Sequence, residues 1–338
     1  MNLKENISLK QYNTFGIDVL ASYFATFSNT AELATLLSDF STQQLPKLVL
    51  GGGSNILFTR NFDGLVLKNE IQGIEVIEED ASGWLVKAGA GINWHSFVTW
   101  CIDKGYAGIE NLSLIPGNVG ASPIQNIGAY GVEQKDSFHQ LEAVDILSGE
   151  KLLFNKEECD FGYRDSIFKR IFKGKLIITS VTFALKRIPD FNTTYGAIDQ
   201  ELKKMGVTSL SIKSISEAVC NIRRSKLPNP AVIGNAGSFF KNPEVSNSVF
   251  NALKISFPGI VGYELASGNF KLAAGWLIEQ CGWKGKRVGN TGSHKDQALV
   301  LINYGNASGT EIWDLAMSIQ ASVKDKFDVL IEPEVNIM

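Results

Sequence analysis

An arginine among aromatic and glycine residues, a serine before two phenylalanines, and a glutamate in an apolar C-terminal run are the residues here best suited to chemistry. In Phe161-Gly162-Tyr163-Arg164-Asp165-Ser166 the planar fork of Arg164 can hold a carboxylate at two points. The alternative is an Arg164–Asp165 surface pair, which contributes little. Residues 234–243, GNAGSFFKNP, give the hydroxyl of Ser238 a dry, aromatic setting. No GxSxG elbow surrounds it, and none of His95, His139 and His294 adjoins it in sequence, so a hydrolase triad is unsupported. Glu334, in Leu330-Ile331-Glu332-Pro333-Glu334-Val335, is trivial if exposed; buried, it is a candidate for a raised pKa and an acid role.

Two glycine-rich stretches are candidates for binding. Gly51-Gly52-Gly53-Ser54-Asn55 follows an apolar run, and its glycines let the backbone turn sharply and present N–H groups to an anion such as a pyrophosphate. A tight glycine hairpin explains the segment equally well. It is not a Rossmann fingerprint, since GxGxxG is missing, nor a P-loop, since Lys-Ser/Thr is missing. The second stretch, residues 115–131, reads IPGNVGASPIQNIGAYG and is too apolar for a flexible linker. Its Pro116, Gly117, Gly120, Ala121, Ser122, Gly128, Ala129 and Gly131 permit close backbone approach to a flat apolar ligand, with Gln125, Asn126 and Tyr130 as hydrogen-bonding groups. Two separated glycine loops suit a long dinucleotide better than a single phosphate.

The elements that must position these residues follow from periodicity. Leu48-Val49-Leu50, Ile56-Leu57-Phe58 and Gly64-Leu65-Val66-Leu67 read as strands. Between them and the N-terminus Thr30 caps a helix with Leu33, Leu36 and Leu37 on one face. After a strand carrying Trp84, Val86 and Ala88, Asn93 caps a helix with Trp94, Phe97, Val98, Cys101 and Ile102 on one face, and Gly105 stops it. Residues 141–154 form a strand pair around Ser148-Gly149-Glu150, and residues 175–185 a further strand. Helices are expected near 216–224, 272–281 and 310–327, the last with Ile312, Leu315, Ile319 and Val323 inward, and a final strand over 329–337. Lys226-Leu227-Pro228-Asn229-Pro230 marks a domain crossing.

At 338 residues, two or three compact units are the expectation. With 44% hydrophobic and 20% charged residues and a net charge of -3, nothing advertises a nucleic-acid or membrane partner. Cys101, Cys159, Cys220 and Cys281 form no CxxC pair and the histidines no HExxH, so no metal is expected. The N-terminal residues lack an apolar h-region and a cleavage site, which points to the cytoplasm.

The motifs NTFG, GGGSN, IPGNVGASPIQNIGAYG, YRDS, GSFFKNP and EPEV, in this order from Asn13 to Val335, resemble those of the UDP-N-acetylenolpyruvoylglucosamine reductase family. The resemblance implies an α+β fold: a vanillyl-alcohol-oxidase-like, two-part FAD-binding module and a C-terminal α/β substrate-binding domain. Residues 1–70 with 325–338 would form the first FAD-binding part, 71–225 the second with a tyrosine-loop insertion near 190–215, and 226–324 the substrate-binding domain, the last strand returning to the first part. Asn192-Thr193-Thr194-Tyr195-Gly196 and residues 199–223 look like the tyrosine loop and extra βαββ segment of the first of the family's two classes. Non-covalent FAD, NADPH as hydride donor and UDP-N-acetylglucosamine enolpyruvate as substrate are implied, on a chain expected to be monomeric.

By the same resemblance, Gly51, Gly52, Gly53, Ser54, Asn55, the second glycine stretch and Arg164 face FAD, while Tyr195, Lys226, Asn242, Lys271 and Gln297 match positions that hold the UDP-sugar. Arg164 would clamp the substrate carboxylate, Glu334 polarise it and Ser238 protonate C2. Asn336 stands where the family often has arginine, and Leu114 where a smaller residue is usual. The rivals are an oxidase on the same architecture and a non-catalytic flavin or nucleotide-sugar sensor.

Overall fold

The computed structural model describes residues 3–39, 43–194 and 196–338. They form two compact units: Met1–Ile7, Ala21–Gly52 and Asp63–Ser225 make the first, Ser8–Leu20, Gly53–Phe62 and Lys226–Met338 the second.

The first unit begins with a four-stranded sheet in the order Lys4–Ser8, Leu20–Phe27, Phe62–Asn69, Lys47–Leu50. Helix Thr30–Leu37 covers it, with Leu33, Leu36 and Leu37 buried against Ala25, Phe27, Leu65 and Leu67. The helix is capped one residue before Thr30: the Asn29 side chain accepts from the Glu32 amide, and Glu32 reaches back to Ser28. Asparagine and threonine are both good caps, and only Asn29 carries the extended backbone a cap requires.

A five-stranded antiparallel sheet follows, ordered Lys151–Asn155, Phe138–Asp145, Leu176–Lys186, Gly83–Gly89, Ile74–Glu79. Its central strand Leu176–Lys186 is buried over most of its length, Thr179, Ser180 and Thr182 included, and is rich in the β-branched residues that favour strands. Helix Trp94–Asp103 packs Trp94, Phe97, Val98 and Cys101 into this core, starting at the Asn93 cap and ending before Gly105 at φ 78°. Ile102, placed on the same face by periodicity, is only partly buried.

Residues 196–226 correct the expected βαββ segment. Among the described residues they form two helices, Gly196–Lys204 and Ile212–Lys226. Ile198 and Leu202 are four apart, and Ile215, Ala218, Val219 and Ile222 make a helical stripe; the two faces bury one another with Tyr130 and Phe191 at the margin. Helical periodicity decided this segment over the borrowed topology.

The second unit holds an antiparallel sheet ordered Gly234–Ser238, Val300–Asn303, Thr291–Ser293, Arg287–Val288. A smaller sheet has the order Glu244–Val245, Phe270–Leu272, Gly262–Glu264. Helix Gly309–Phe327 opens with a Ser308/Glu311 capping box and buries Ile312, Leu315, Ile319, Val323 and Phe327. Burial of each such side chain contributes about 1.5–3 kcal/mol. The expected strand over 329–337 is mostly irregular: only Asn336–Ile337 pairs as a strand, parallel to Ile56–Leu57, and Pro333 makes a single bridge to Phe240. Pro333 has no N–H to donate, which breaks the ladder there. No helix among the described residues is long and apolar enough to cross a membrane.

Candidate functional site

In the first unit Gly51 and Gly52 lie against Gly117 and Asn118 of the second glycine stretch. A side chain on Gly52 would stand 2.9 Å from Asn118 Oδ1 and 3.0 Å from the Gly117 Cα, and one on Gly120 2.5 Å from the Ala90 Cβ. Backbone thus packs on backbone, which only glycine permits. Lys68 Nζ donates to the Gly51 carbonyl at 2.6 Å, and burial lowers the pKa of that ammonium. The amides of Gly52, Gly53 and Ser54 donate no hydrogen bond among the described residues, so they are available to an anion. Backbone N–H groups of this kind can hold a phosphate.

Not every polar group of the second stretch faces a ligand. The Ser122 hydroxyl donates to the Val119 carbonyl at 2.8 Å. The Asn126 amide is consumed internally: Nδ2 donates to Glu133 Oε2 and the Gly162 carbonyl, both at 3.0 Å, and Oδ1 accepts from the Lys135 amide. Gln125 and Tyr130 are partly exposed, as are Gly117, Gly128 and Ala129, while Pro116, Ala121 and Gly131 are exposed.

Arg164 is not a surface pair with Asp165, whose carboxylate lies against Arg170 instead. Arg164 turns back along the loop: Nη2 donates to the Gly128 carbonyl at 2.5 Å and Nη1 to the Asn126 carbonyl at 3.5 Å, with the guanidinium 5.5 Å from the Tyr163 ring centre. Arg164, Tyr130, Asn126 and Leu114 all have positive φ, at 53°, 51°, 44° and 58°. Each such backbone costs on the order of 1–3 kcal/mol, and strain of this kind gathers where a site over-determines it.

Arg223, on helix Ile212–Lys226, is a residue that sequence reasoning missed. Its Nε donates to the Leu114 carbonyl at 3.1 Å, and its guanidinium hydrogen-bonds the Tyr130 side chain within electrostatic reach of Arg164. Desolvation pulls its pKa down, and no carboxylate pairs with it among the described residues. A desolvated cation beside another cation, with only neutral partners, wants an anion. The signal was available: Arg223 follows Val219 by four residues, on the apolar face of an amphipathic helix.

The second unit brings Ser238 and Glu334 together. The Glu334 amide donates to the carbonyl of Phe239, the residue after Ser238, at 2.7 Å. Ser238 ends strand Gly234–Ser238 behind an irregularity in its pairing, with Gly237 at φ 70°, and its hydroxyl makes no hydrogen bond among the described residues. Asn55 is tied to the same place, its Nδ2 on the Glu334 carbonyl at 3.3 Å. Asn336 donates from both backbone and side chain to the Asn55 carbonyl, at 3.2 and 2.9 Å. Asn336 thus anchors the end of the GGGSN loop.

Asn242, Lys271 and Gln297 converge at the start of helix Ala274–Gln280. Asn242 Oδ1 accepts from the Ala274 amide at 3.0 Å, Lys271 lies on strand Phe270–Leu272 just before it, and Gln297 Oε1 stands 3.0 Å from where a side chain on Gly275 would begin. Lys226 is exposed at its helix end, and no hydrogen bond or ion pair links it to those three. Tyr195 lies outside the described residues.

Comparison with known proteins supplies the context. Residues 229–338 match the family model described as UDP-N-acetylenolpyruvoylglucosamine reductase, C-terminal domain, and residues 21–152 the one described as FAD binding domain. The curated UDP-N-acetylenolpyruvoylglucosamine reductase of Amoebophilus asiaticus is 54% identical over 338 residues, 100% of both chains. That of Pseudomonas putida is 51% identical over 334 residues, 99% of this chain and 98% of its own. The crystal structure of UDP-N-acetylenolpyruvylglucosamine reductase from Thermus caldophilus has a similar fold, with a TM-score of 0.69 over 100% of this chain and 99% of that one at 24% identity.

Proposed function

The chain belongs to the UDP-N-acetylenolpyruvoylglucosamine reductase family, and on that footing we propose that it reduces UDP-N-acetylglucosamine enolpyruvate to UDP-N-acetylmuramate for peptidoglycan synthesis, with NADPH as hydride donor. It is an FAD-dependent oxidoreductase. The observation that carries the substrate reading is the pair of guanidinium groups, Arg164 anchored on the Asn126 and Gly128 carbonyls and Arg223 with no carboxylate partner among the described residues. A desolvated guanidinium such as that of Arg223, with only neutral hydrogen-bond partners, suits a substrate that brings its own carboxylate.

When bound, FAD supplies hydride transfer from NADPH to C3 of the enolpyruvyl ether. The loop amides of residues 52–54 and the glycines of 117–131 would hold that cofactor. Arg164 would grip the substrate carboxylate in its fork and stabilise the charge that builds there. Glu334 would polarise the same carboxylate from its place beside Phe239, and Ser238 would deliver a proton to C2. Asn242, Lys271 and Gln297, with Lys226 and Tyr195, would hold the UDP-sugar. The proposed division assigns residues 1–70 with 325–338 and 71–225 to FAD, and 226–324 to the substrate, on a cytoplasmic monomer.

Steady NADPH oxidation that requires UDP-N-acetylglucosamine enolpyruvate is the test. Oxygen consumption without NADPH would favour an oxidase, and binding without turnover a sensor. Heat or acid should release a yellow, FAD-sized chromophore and leave the precipitated protein colourless, since no residue here is assigned as a covalent tether.

A further inference from the structure

His95 lies near the start of helix Trp94–Asp103, partly buried, and its Nδ1 accepts the backbone N–H of Leu114 at 3.0 Å. The carbonyl of the same Leu114 accepts from Arg223 Nε at 3.1 Å. One strained residue, at φ 58°, is therefore held at its amide by a histidine and at its carbonyl by the arginine that faces Arg164. The neighbouring backbone is pinned as well: Trp94 Nε1 donates to the Leu112 carbonyl at 2.8 Å, and the Ser113 and Ser216 hydroxyls pair at 2.8 Å. Leu114 is thus the link between the histidine's helix and the arginine's helix.

We infer that neutral His95 is a positioning residue for Arg223: by accepting the Leu114 amide it holds Leu114 in its left-handed conformation and so keeps the Leu114 carbonyl on the Arg223 guanidinium. The bond fixes the tautomer, with the proton on Nε2 and Nδ1 free to accept. Protonation would put a second N–H against the Leu114 N–H. The bond would be lost, the left-handed backbone would lose its support, and Arg223 would lose its carbonyl.

The charged groups facing His95 favour the neutral form. They are Arg223 and Arg224 on helix Ile212–Lys226, both cationic, and with burial, the largest contribution, they pull the His95 pKa below its ordinary value. The positive end of the helix that carries His95 acts in the same sense. Since the folded pKa lies below the unfolded value of about 6.5, the stability contributed by the latch is complete above that value and is lost as pH falls toward the lowered one.

The inference rests on the proposed function only where it uses kinetics. The test compares the FAD-loaded wild type with His95→Asn, whose Oδ1 can accept in place of Nδ1 but cannot titrate, and with His95→Ala, which has no acceptor. Two quantities are followed between about pH 5 and 8: the rate at which UDP-N-acetylglucosamine enolpyruvate reoxidises the reduced flavin, and the melting temperature. The wild type should slow as pH falls below the ordinary histidine range, His95→Ala should be slower by on the order of ten-fold throughout, and His95→Asn should be fast and lack that acid limb. Melting should fall in acid more for the wild type than for His95→Asn. If the wild type does not turn over at all, the functional reading fails, and the melting comparison still judges the latch. A wild-type rate in His95→Ala, an Asn variant as slow as Ala, or the same acid dependence in wild type and His95→Asn would overturn it.

Discussion

Arg164 and Gly128 are fitted to one another. The guanidinium donates to the Gly128 carbonyl at 2.5 Å, and a side chain on Gly128 would begin 3.0 Å from Arg164 Nη1 and 2.9 Å from Glu133 Cγ. The arginine thus lies across a residue with little room for a side chain, and its direction is set by the loop it binds.

Arg164→Lys should therefore lose about 10²-fold or more in turnover, since lysine keeps a point charge but not the fork that spans two carbonyls. Gly128→Ala should cost less, by shifting the Arg164 guanidinium away from the added methyl group while leaving its fork intact. Near-wild-type turnover of the lysine variant, measured with saturating substrate, would remove Arg164 from the chemistry.

Gly53 and Gly16 separate backbone strain from crowding. Both have positive φ, 61° and 67°, but a side chain on Gly53 would lie 1.9 Å from the Tyr12 carbonyl oxygen, whereas nothing lies within 4 Å at Gly16. Gly16→Ala should cost about 1–2 kcal/mol, the ordinary penalty of the left-handed region. Gly53→Ala adds an overlap with backbone that cannot rotate away, and should destabilise by more than about 3 kcal/mol or prevent folding. Equal denaturant midpoints for the two variants would contradict this.

The thiols should fall into two classes. Burial pushes the Cys159 thiol up to about 12 and raises Cys101 further still, so neither offers thiolate near neutral pH. Cys281 is the partly exposed one, its Sγ 3.4 Å from the Ser322 carbonyl. A thiol reagent on the native protein should modify Cys281 first and reach Cys101 and Cys159 only on global unfolding. Peptide mapping that finds Cys101 labelled as fast as Cys281 would mean the helix Trp94–Asp103 opens on its own.

What could be read in the sequence was what is local. The Asn93 cap, the stop at Gly105 and the inward face of helix Gly309–Phe327 depend on residues a turn or two apart. Cap choice between Asn29 and Thr30 turned on a backbone angle, which composition does not contain. The site is legible to the extent that its motifs are contiguous, as Arg164 and Ser238 are within theirs. Arg223 meets Leu114 across 109 positions and His95 meets it across 19, and neither pairing leaves a mark on local pattern. Leu114 shows the same limit from the other side: its positive φ of 58° is a backbone state that its residue type does not announce.

Ser238 gives the sharpest division between a catalytic and a structural reading. The proposed mechanism uses it as proton donor only when substrate is reduced, and leaves it idle while NADPH reduces the flavin. Its hydroxyl makes no hydrogen bond among the described residues, so removing it should break nothing in the fold. Ser238→Ala should then bleach normally with NADPH, melt like the wild type, and reoxidise with UDP-N-acetylglucosamine enolpyruvate slower by about 10²–10⁴-fold, the usual contribution of general acid catalysis. Ser238→Cys, which keeps a donor, should recover part of that rate. A hydroxyl that merely braced the turn at Gly237 would behave otherwise: the alanine variant would lose about 1 kcal/mol of stability and slow both halves alike. Stopped-flow absorbance of the two halves, recorded separately, decides the matter, because equal slowing of both, or none in reoxidation, takes Ser238 out of the mechanism.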